Sequence, residues 1–390
     1  MTSRSLLSAL AVCACCAAAS KSEAQFSVAS TGESLTVAEI ETALDNAGVT
    51  VSSTALDGVA LGPGNTVFII HNDSGALTVA HIDLTSKAAN WVKTEAQILT
   101  DLSLSGNLTL VGEFVYDSTN DRLVLASDIN AVAPGDPWTV FEIDASASPY
   151  TAATLVSSPG IQGWNSHDVT STGVIVGALG EEFEVLTGGE PKTVFIDETT
   201  TPGSPAAVDL FDVDDFKAAT AAGAGDEITG ELPPETVGID PSDDTIYIFG
   251  HDNFELLAIE GLSATDPIDP EVLGWDDALT PGGSRVDLHG LEVDGNGTVY
   301  GFDEAAAQIV LWDGADVPTD VTGAIAFADI ATDLGNALGA AEPVLWRGMK
   351  ARALTATQSE LFIATAASDF GLIRVVIDAG GASVGNWERY

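Results

Sequence analysis

The residues of this chain best equipped for chemistry are imidazoles, carboxylates and amides that recur beside short apolar runs. His71 with Asn72 and Asp73, Asp128 with Asn130, Glu181 with Glu182, His251 with Asp252 and Asn253, and Asp303 with Glu304 each follow such a run. Asp57, Glu113, His167 with Asp168, Glu235, His289 and Arg352 each stand near the start of another. Oxygen donors of this kind suit a hard cation such as calcium, and neutral histidines can move protons. His167 and His289 are therefore candidate proton-transfer groups, and Asp57, Glu113, Asn130 and Asn253 are among the oxygen donors that such a cation could use. The remaining positions, His71, Asp73, Asp128, Asp168, Glu181, Glu235, His251, Asp252, Asp303 and Arg352, would form a ligand-binding face.

Those residues need elements that bring them to one place, and the chain repeats itself in a way that does so. Six related segments begin at Leu56, Gly112, Ser166, Pro234, Asp287 and Ala351, at an average spacing of roughly 60 residues. Each reads as an alternating strand, a turn rich in Gly, Asp, Asn, Ser or Pro, and a strongly apolar strand such as Thr245 to Phe249. Third strands follow at Leu77 to Leu84, Trp138 to Ile143, Thr193 to Ile196, Leu256 to Ile259, Gln308 to Trp312 and Leu372 to Ile377. A small antiparallel sheet cannot bury both of its faces alone, and a radial ring buries each against its neighbours. The expectation is an all-β fold, a six-bladed β-propeller of antiparallel four-stranded blades with short helical turns in the connections. Phe26 to Ser30 would close the ring if the last repeat lacks an outer strand. In such a blade the start of the innermost strand and the end of the second open onto the same face, which gathers the residues named above.

Helix-start chemistry marks the connections. Thr36 precedes Glu39 by three positions and Thr94 precedes Gln97 likewise, the spacing of a capping box. Similar patterns lie around Asp212 to Ala219 and Phe327 to Leu334.

Blade rhythm, with phrases such as Gly238-Ile239-Asp240-Pro241 and His71-Asn72-Asp73-Ser74-Gly75, resembles the six-bladed propellers of secreted bacterial proteins related to gluconolactonases, calcium-dependent phosphotriesterases and esterase-like phytases. The resemblance implies a calcium held in the channel by a Glu, Asn and Asp set. Glu113, Asn130 or Asn253, and Asp57 would be its occupants in this chain, the candidate metal ligands that the resemblance implies.

Composition bounds the partners. The chain has 13 Lys plus Arg against 58 Asp plus Glu, a formal net charge of -45. Nucleic acid and anionic membrane surfaces would be repelled, and cations and basic proteins attracted. Arg4, the apolar stretch Leu6 to Ala19 and Ser22-Glu23-Ala24 read as a signal peptide over residues 1–24, leaving one propeller domain over 25–390, secreted or periplasmic. Lipid attachment near Cys13 is the alternative. All 3 cysteines lie in that leader, so the mature protein would have no disulfide. No membrane span is expected, and a monomer is. No phosphate-binding Gly-rich loop with Lys or His-Glu-x-x-His helix is present. The loops at Asp294 and Asp240 reach Ala305 and His251 where an EF-hand needs Glu. Two functions stand: a non-catalytic binding protein for a small polar ligand, a metal ion or a basic protein, and, as the alternative, a calcium-dependent hydrolase of a lactone or phosphate ester.

Overall fold

The structure, a computed structural model, describes residues 27–31, 35–51, 55–73, 76–110, 114–129, 138–158, 164–179, 192–197, 206–212, 234–250, 255–259, 272–277, 288–303, 305–312, 323–338, 346–365, 370–378 and 388–389. The chain enters through β1 (Ser27–Thr31), β2 (Leu35–Thr36) and α1 (Val37–Asn46). The first sheet follows as β3 (Ala55–Leu61), β4 (Thr66–Asp73), β5 (Ala76–Asp83) and β6 (Ala88–Thr94). After α2 (Glu95–Leu102) comes the second, from β7 (Leu108–Leu110), β8 (Val115–Asp117), β9 (Arg122–Ile129), β10 (Trp138–Asp144) and β11 (Ala152–Ser158). The third comprises β12 (Trp164–Val169), β13 (Ile175–Leu179), β14 (Lys192–Asp197) and β15 (Ala206–Asp212). The fourth comprises β16 (Pro234–Ile239), β17 (Ile246–Gly250), β18 (Glu255–Ile259) and β19 (Val272–Asp277). The fifth is β20 (Leu288–Val293), β21 (Val299–Asp303), β22 (Gln308–Trp312) and β23 (Gly323–Ala326). Then α3 (Phe327–Leu338) leads to β24 (Trp346–Thr355), β25 (Gln358–Thr365), β26 (Phe370–Asp378) and β27 (Glu388–Arg389).

Five sheets are thus built from consecutive strands, and a further one joins both ends of the chain. In it β1 pairs antiparallel with β26 from Ser27 opposite Asp378 to Thr31 opposite Val375, in the place of an outer strand. This is the position expected for Phe26 to Ser30, beginning one residue later. The innermost strands touch in succession: β3 against β8, β8 against β12, β12 against β16, β16 against β20, β20 against β24, and β24 back against β3. That closed circle of antiparallel sheets is a β-propeller.

Apolar residues on both faces of each sheet explain the ring. Phe68, Ile70 and Trp91 of the first sheet pack on Phe114, Leu125 and Phe141 of the second. Tyr300, Ile309 and Leu311 meet Leu361, Ile363 and Ile373 at the junction of the fifth sheet with the last. A Val, Leu, Ile or Phe side chain buried in this way contributes about 1.5–3 kcal/mol. Where β24 meets β3 the backbones are pressed together, and a Cβ on Gly348 would lie 3.3 Å from the Gly58 Cα. Gly348 also has φ of 154°, so that glycine serves both the conformation and the approach.

The connections hold helices longer than the single turns expected: 10 residues in α1, 8 in α2 and 12 in α3. The capping box at α1 is formed, with the Thr36 N–H donating to Glu39 at 2.8 Å and the Glu39 N–H to the Thr36 hydroxyl at 3.2 Å. At α2 the Thr94 N–H donates to Gln97 at 2.9 Å. Buried Glu95 in the next position accepts from the N–H groups of Leu77 and Leu108, tying the first sheet to the second. The segment around Asp212 to Ala219 lies outside the described residues beyond Asp212 itself, where β15 ends.

Candidate functional site

Every hairpin between an innermost strand and its neighbour turns toward one end of the ring, and the strand starts open at the other. The start end carries a feature repeated around the circle. In β3, residue 57 is extra between the pairs Leu56 with His71 and Gly58 with Ile70. In β12 the extra residue is Asn165, in β16 Glu235 and in β24 Arg347. In β20, His289 and Gly290 fall between Leu288 opposite Asp303 and Leu291 opposite Gly301. Each is a β-bulge, a device that turns a side chain out of the regular alternation and recurs next to binding sites. At the same level the inner edge of the second sheet is split between β7 and β8, which both pair with β9. The equivalent bulge positions of Asp57, Asn165, Glu235, His289 and Arg347 mark a crown at the mouth of the channel. Asp57 and Arg347 are exposed and His289 is half-buried.

Three of the expected site residues, Asp57, Glu235 and His289, are therefore bulge residues. Asp73 and Asp128 stand at the ends of β4 and β9, on the same side of the ring. His71, also near the end of β4, is buried. Asp303 ends β21, where its buried carboxylate accepts from the Ala306 N–H at 3.1 Å and the Gln308 amide at 2.9 Å. Glu113, Asn130, Glu181, His251, Asp252 and Asn253 lie outside the described residues. Sequence reasoning passed over Asn165 and Arg347, and only the register of pairing distinguishes them.

Three other expectations meet different surroundings. His167 is 1% exposed, one turn of the alternation below the crown, and its Nε2–H donates to the Val124 carbonyl at 3.1 Å. Burial pushes its imidazole down to about 4 against the favourable backbone bond, and the Lys350 ammonium adds to the depression. Lys350 in turn makes a buried ion pair with Glu292 on the neighbouring innermost strand. Asp168 accepts from its own sheet, at the Val169 N–H, and from the next, at the Ile239 N–H 2.9 Å away. Arg352 was expected at a strand start, but β24 begins at Trp346, which carries Arg352 down to the hairpin end. There it ion-pairs with the fully buried Glu360, which Arg374 also binds, and donates to the Gly64 carbonyl of the first sheet at 3.0 Å.

The hairpin end is closed by such bonds. Asp117, Asp240 and Asp294, each just after or at the end of an innermost strand, cap their own turns by accepting from Thr119, Ser242 and Asn296 N–H groups respectively. Neighbouring turns are clasped to one another as well. The Thr119 hydroxyl donates to the Ser171 carbonyl at 2.7 Å, the Ser171 hydroxyl to Asp244 at 2.8 Å, and the Asn296 amide to the Thr355 carbonyl at 2.8 Å. Arg122 binds Asp117 and Glu142 within its sheet and the Gly173 carbonyl of the next. Burial raises the Asp240 carboxyl above the usual range, and the charges of Asp243 and Asp294 add to this while Ser242 opposes it.

Of the candidate calcium ligands only Asp57 is among the described residues, and those residues bring no three His, Cys, Asp or Glu side chains together as a metal site. Among them no helix is long and apolar enough to cross a membrane.

No family profile matches the chain, and no curated protein matches it. Solved structures do. Regucalcin, a calcium-binding protein of Agrobacterium tumefaciens, is similar over 91% of this chain and 96% of its own, with 12% identity and a TM-score of 0.49. The major allergen Mala s 1 of Malassezia sympodialis is similar over 83% of this chain and 93% of its own, at 10% identity and 0.49. Virginiamycin B lyase from Staphylococcus aureus is similar over 83% and 95%, at 8% identity and 0.45. At such identities no residue role passes from any of them to this chain.

Proposed function

We propose that this is a secreted, acidic, six-bladed β-propeller that acts as a non-catalytic binding protein, taking a small polar ligand at the crown. One observation carries the reading: in five sheets the innermost strand is bulged at the same level, and the bulge includes a polar or charged residue every time. A bulge interrupts the ladder and costs pairing, so its repetition at one level supports a role for the residues it turns out. The six sheets are read as six blades because their innermost strands touch in one closed circle. Secretion rests on the leader, and the net charge of -45 suits a hydrated exported surface.

The calcium-dependent hydrolase is the weaker reading. Of its two histidines, His167 is sequestered and bound to backbone, which leaves only His289 near the mouth. Calcium is nonetheless the first probe, since Asp57 and Glu235 offer oxygen donors. Calorimetric titration of the metal-stripped mature protein in moderate salt should show one stoichiometric site, weakened tenfold or more by Asp57→Asn with Glu235→Gln. Only weak, multiple, salt-screened binding would overturn a metal at the channel and assign the acidic surface to solvation.

A further inference from the structure

We infer that Arg347 is the anchor for an anionic group, a carboxylate or a phosphate, on the ligand of the crown. The inference rests on the binding reading above and deepens it by naming the ligand's chemistry. Acidic residues outnumber basic ones 58 to 13 in this chain, so a basic side chain has carboxylates available wherever it points. The other basic residues whose side chains are described have used them: Lys87 pairs with Glu39, Lys93 with Asp101, Arg122 with Asp117 and Glu142, Lys350 with Glu292, and Arg352 and Arg374 with Glu360. Arg347 differs. It is exposed, and among the described residues no hydrogen bond or ion pair engages it.

Its position points to the same conclusion. Arg347 is the extra residue of the β24 bulge, and the following Gly348 is pressed onto Gly58, the residue after the Asp57 bulge. Two exposed side chains of opposite charge are thus carried on neighbouring bulges at the channel mouth. A guanidinium presents a fork of donors that matches the two oxygens of a carboxylate or phosphate. Asp57 beside it can accept from a hydroxyl or an ammonium group. The ligand class that meets both is a small anion bearing hydroxyl or amino groups.

The test is calorimetric titration of the mature protein with L-malate and, separately, with inorganic phosphate, in salt sufficient to screen the net charge. One saturable site for either anion is expected, and the stronger binder distinguishes carboxylate from phosphate. Arg347→Gln should weaken that site at least tenfold and Arg347→Lys by less, because the charge survives without the fork. Both variants should keep the thermal midpoint of the parent, since the side chain is exposed. Saturable binding unchanged in Arg347→Gln would remove the arginine from the site. Failure of both anions to bind would overturn the inference even if calcium still titrates one site, and that titration is the separate check on the binding reading.

Discussion

The two ends of this ring are built from the same kinds of residues to opposite purposes. At the hairpin end, carboxylates are saturated: Asp294 accepts from two N–H groups and the Tyr300 hydroxyl, and Glu360 from two arginines. At the start end the strands bulge, and Asp57 and Arg347 are turned toward solvent. The difference teaches that an acidic side chain in a propeller is informative only together with its register. Asp at the end of an innermost strand closes a turn, and Asp57 at a bulge faces solvent.

The contrast can be broken most severely at Glu360. Its carboxylate is fully buried, and the guanidinium groups of Arg352 and Arg374 lie 5.6 and 5.9 Å from the Phe362 ring centre. Glu360→Ala removes the carboxylate that both cations share beside this ring and should cost about 3 kcal/mol, read from the denaturant midpoint. A loss under about 1 kcal/mol, the value of an exposed pair, would show that the hairpin end is less rigid than its bonds imply.

His167 tests the level between the two ends. Its folded pKa, near 4, lies below the ordinary 6.5 that the unfolded chain regains. The unfolded state therefore binds the proton first, and the stability is complete above pH 6.5 and lost as pH falls toward 4. Between pH 7 and 5 the parent should lose about 2 kcal/mol more than His167→Gln does. Equal pH slopes in the two proteins would mean that the imidazole is reachable by water and open to proton transfer.

A paired comparison sharpens the distinction at its small end. Asp244→Ala removes the bonds from Ser171 and should cost about 1 kcal/mol. Asp57→Ala at the crown, where the side chain is exposed, should cost less than about 0.5 kcal/mol while weakening ligand binding. Equal thermal shifts for the two would erase the functional distinction between the ends.

Much of this was legible beforehand because it rests on period and capping. The third strands begin and end within a residue or two of β5, β10, β14, β18, β22 and β26. Thr36 with Glu39 announced α1, and the extended stretch near the N-terminus was available as an outer strand for the C-terminal repeat. Arg352 was misplaced for a physical reason. The stretch Trp346-Arg347-Gly348-Met349-Lys350 alternates poorly, since Lys350 is held inside by Glu292 and Gly348 by a contact no pattern reveals. The part of β24 that reads as a strand from sequence is its hairpin end, not its start. Bulges are illegible in the same way: one extra residue leaves the local sequence polar and short, and only the partner strand counts it.

The pairing of β1 with β26 also fixes an order of events. The strand that completes the last sheet precedes every other described strand in the sequence, and its partner, Phe370–Asp378, follows all but one of them. Contacts of such separation form late, after the loop-closure entropy of nearly the whole chain has been met. Until then β26 presents an open edge of Leu372, Ile373, Val375 and Ile377, residues that the finished ring hides almost completely. An open apolar edge is a template for another chain. The protein is therefore most prone to self-association in the interval between the folding of β26 onto β25 and the docking of β1.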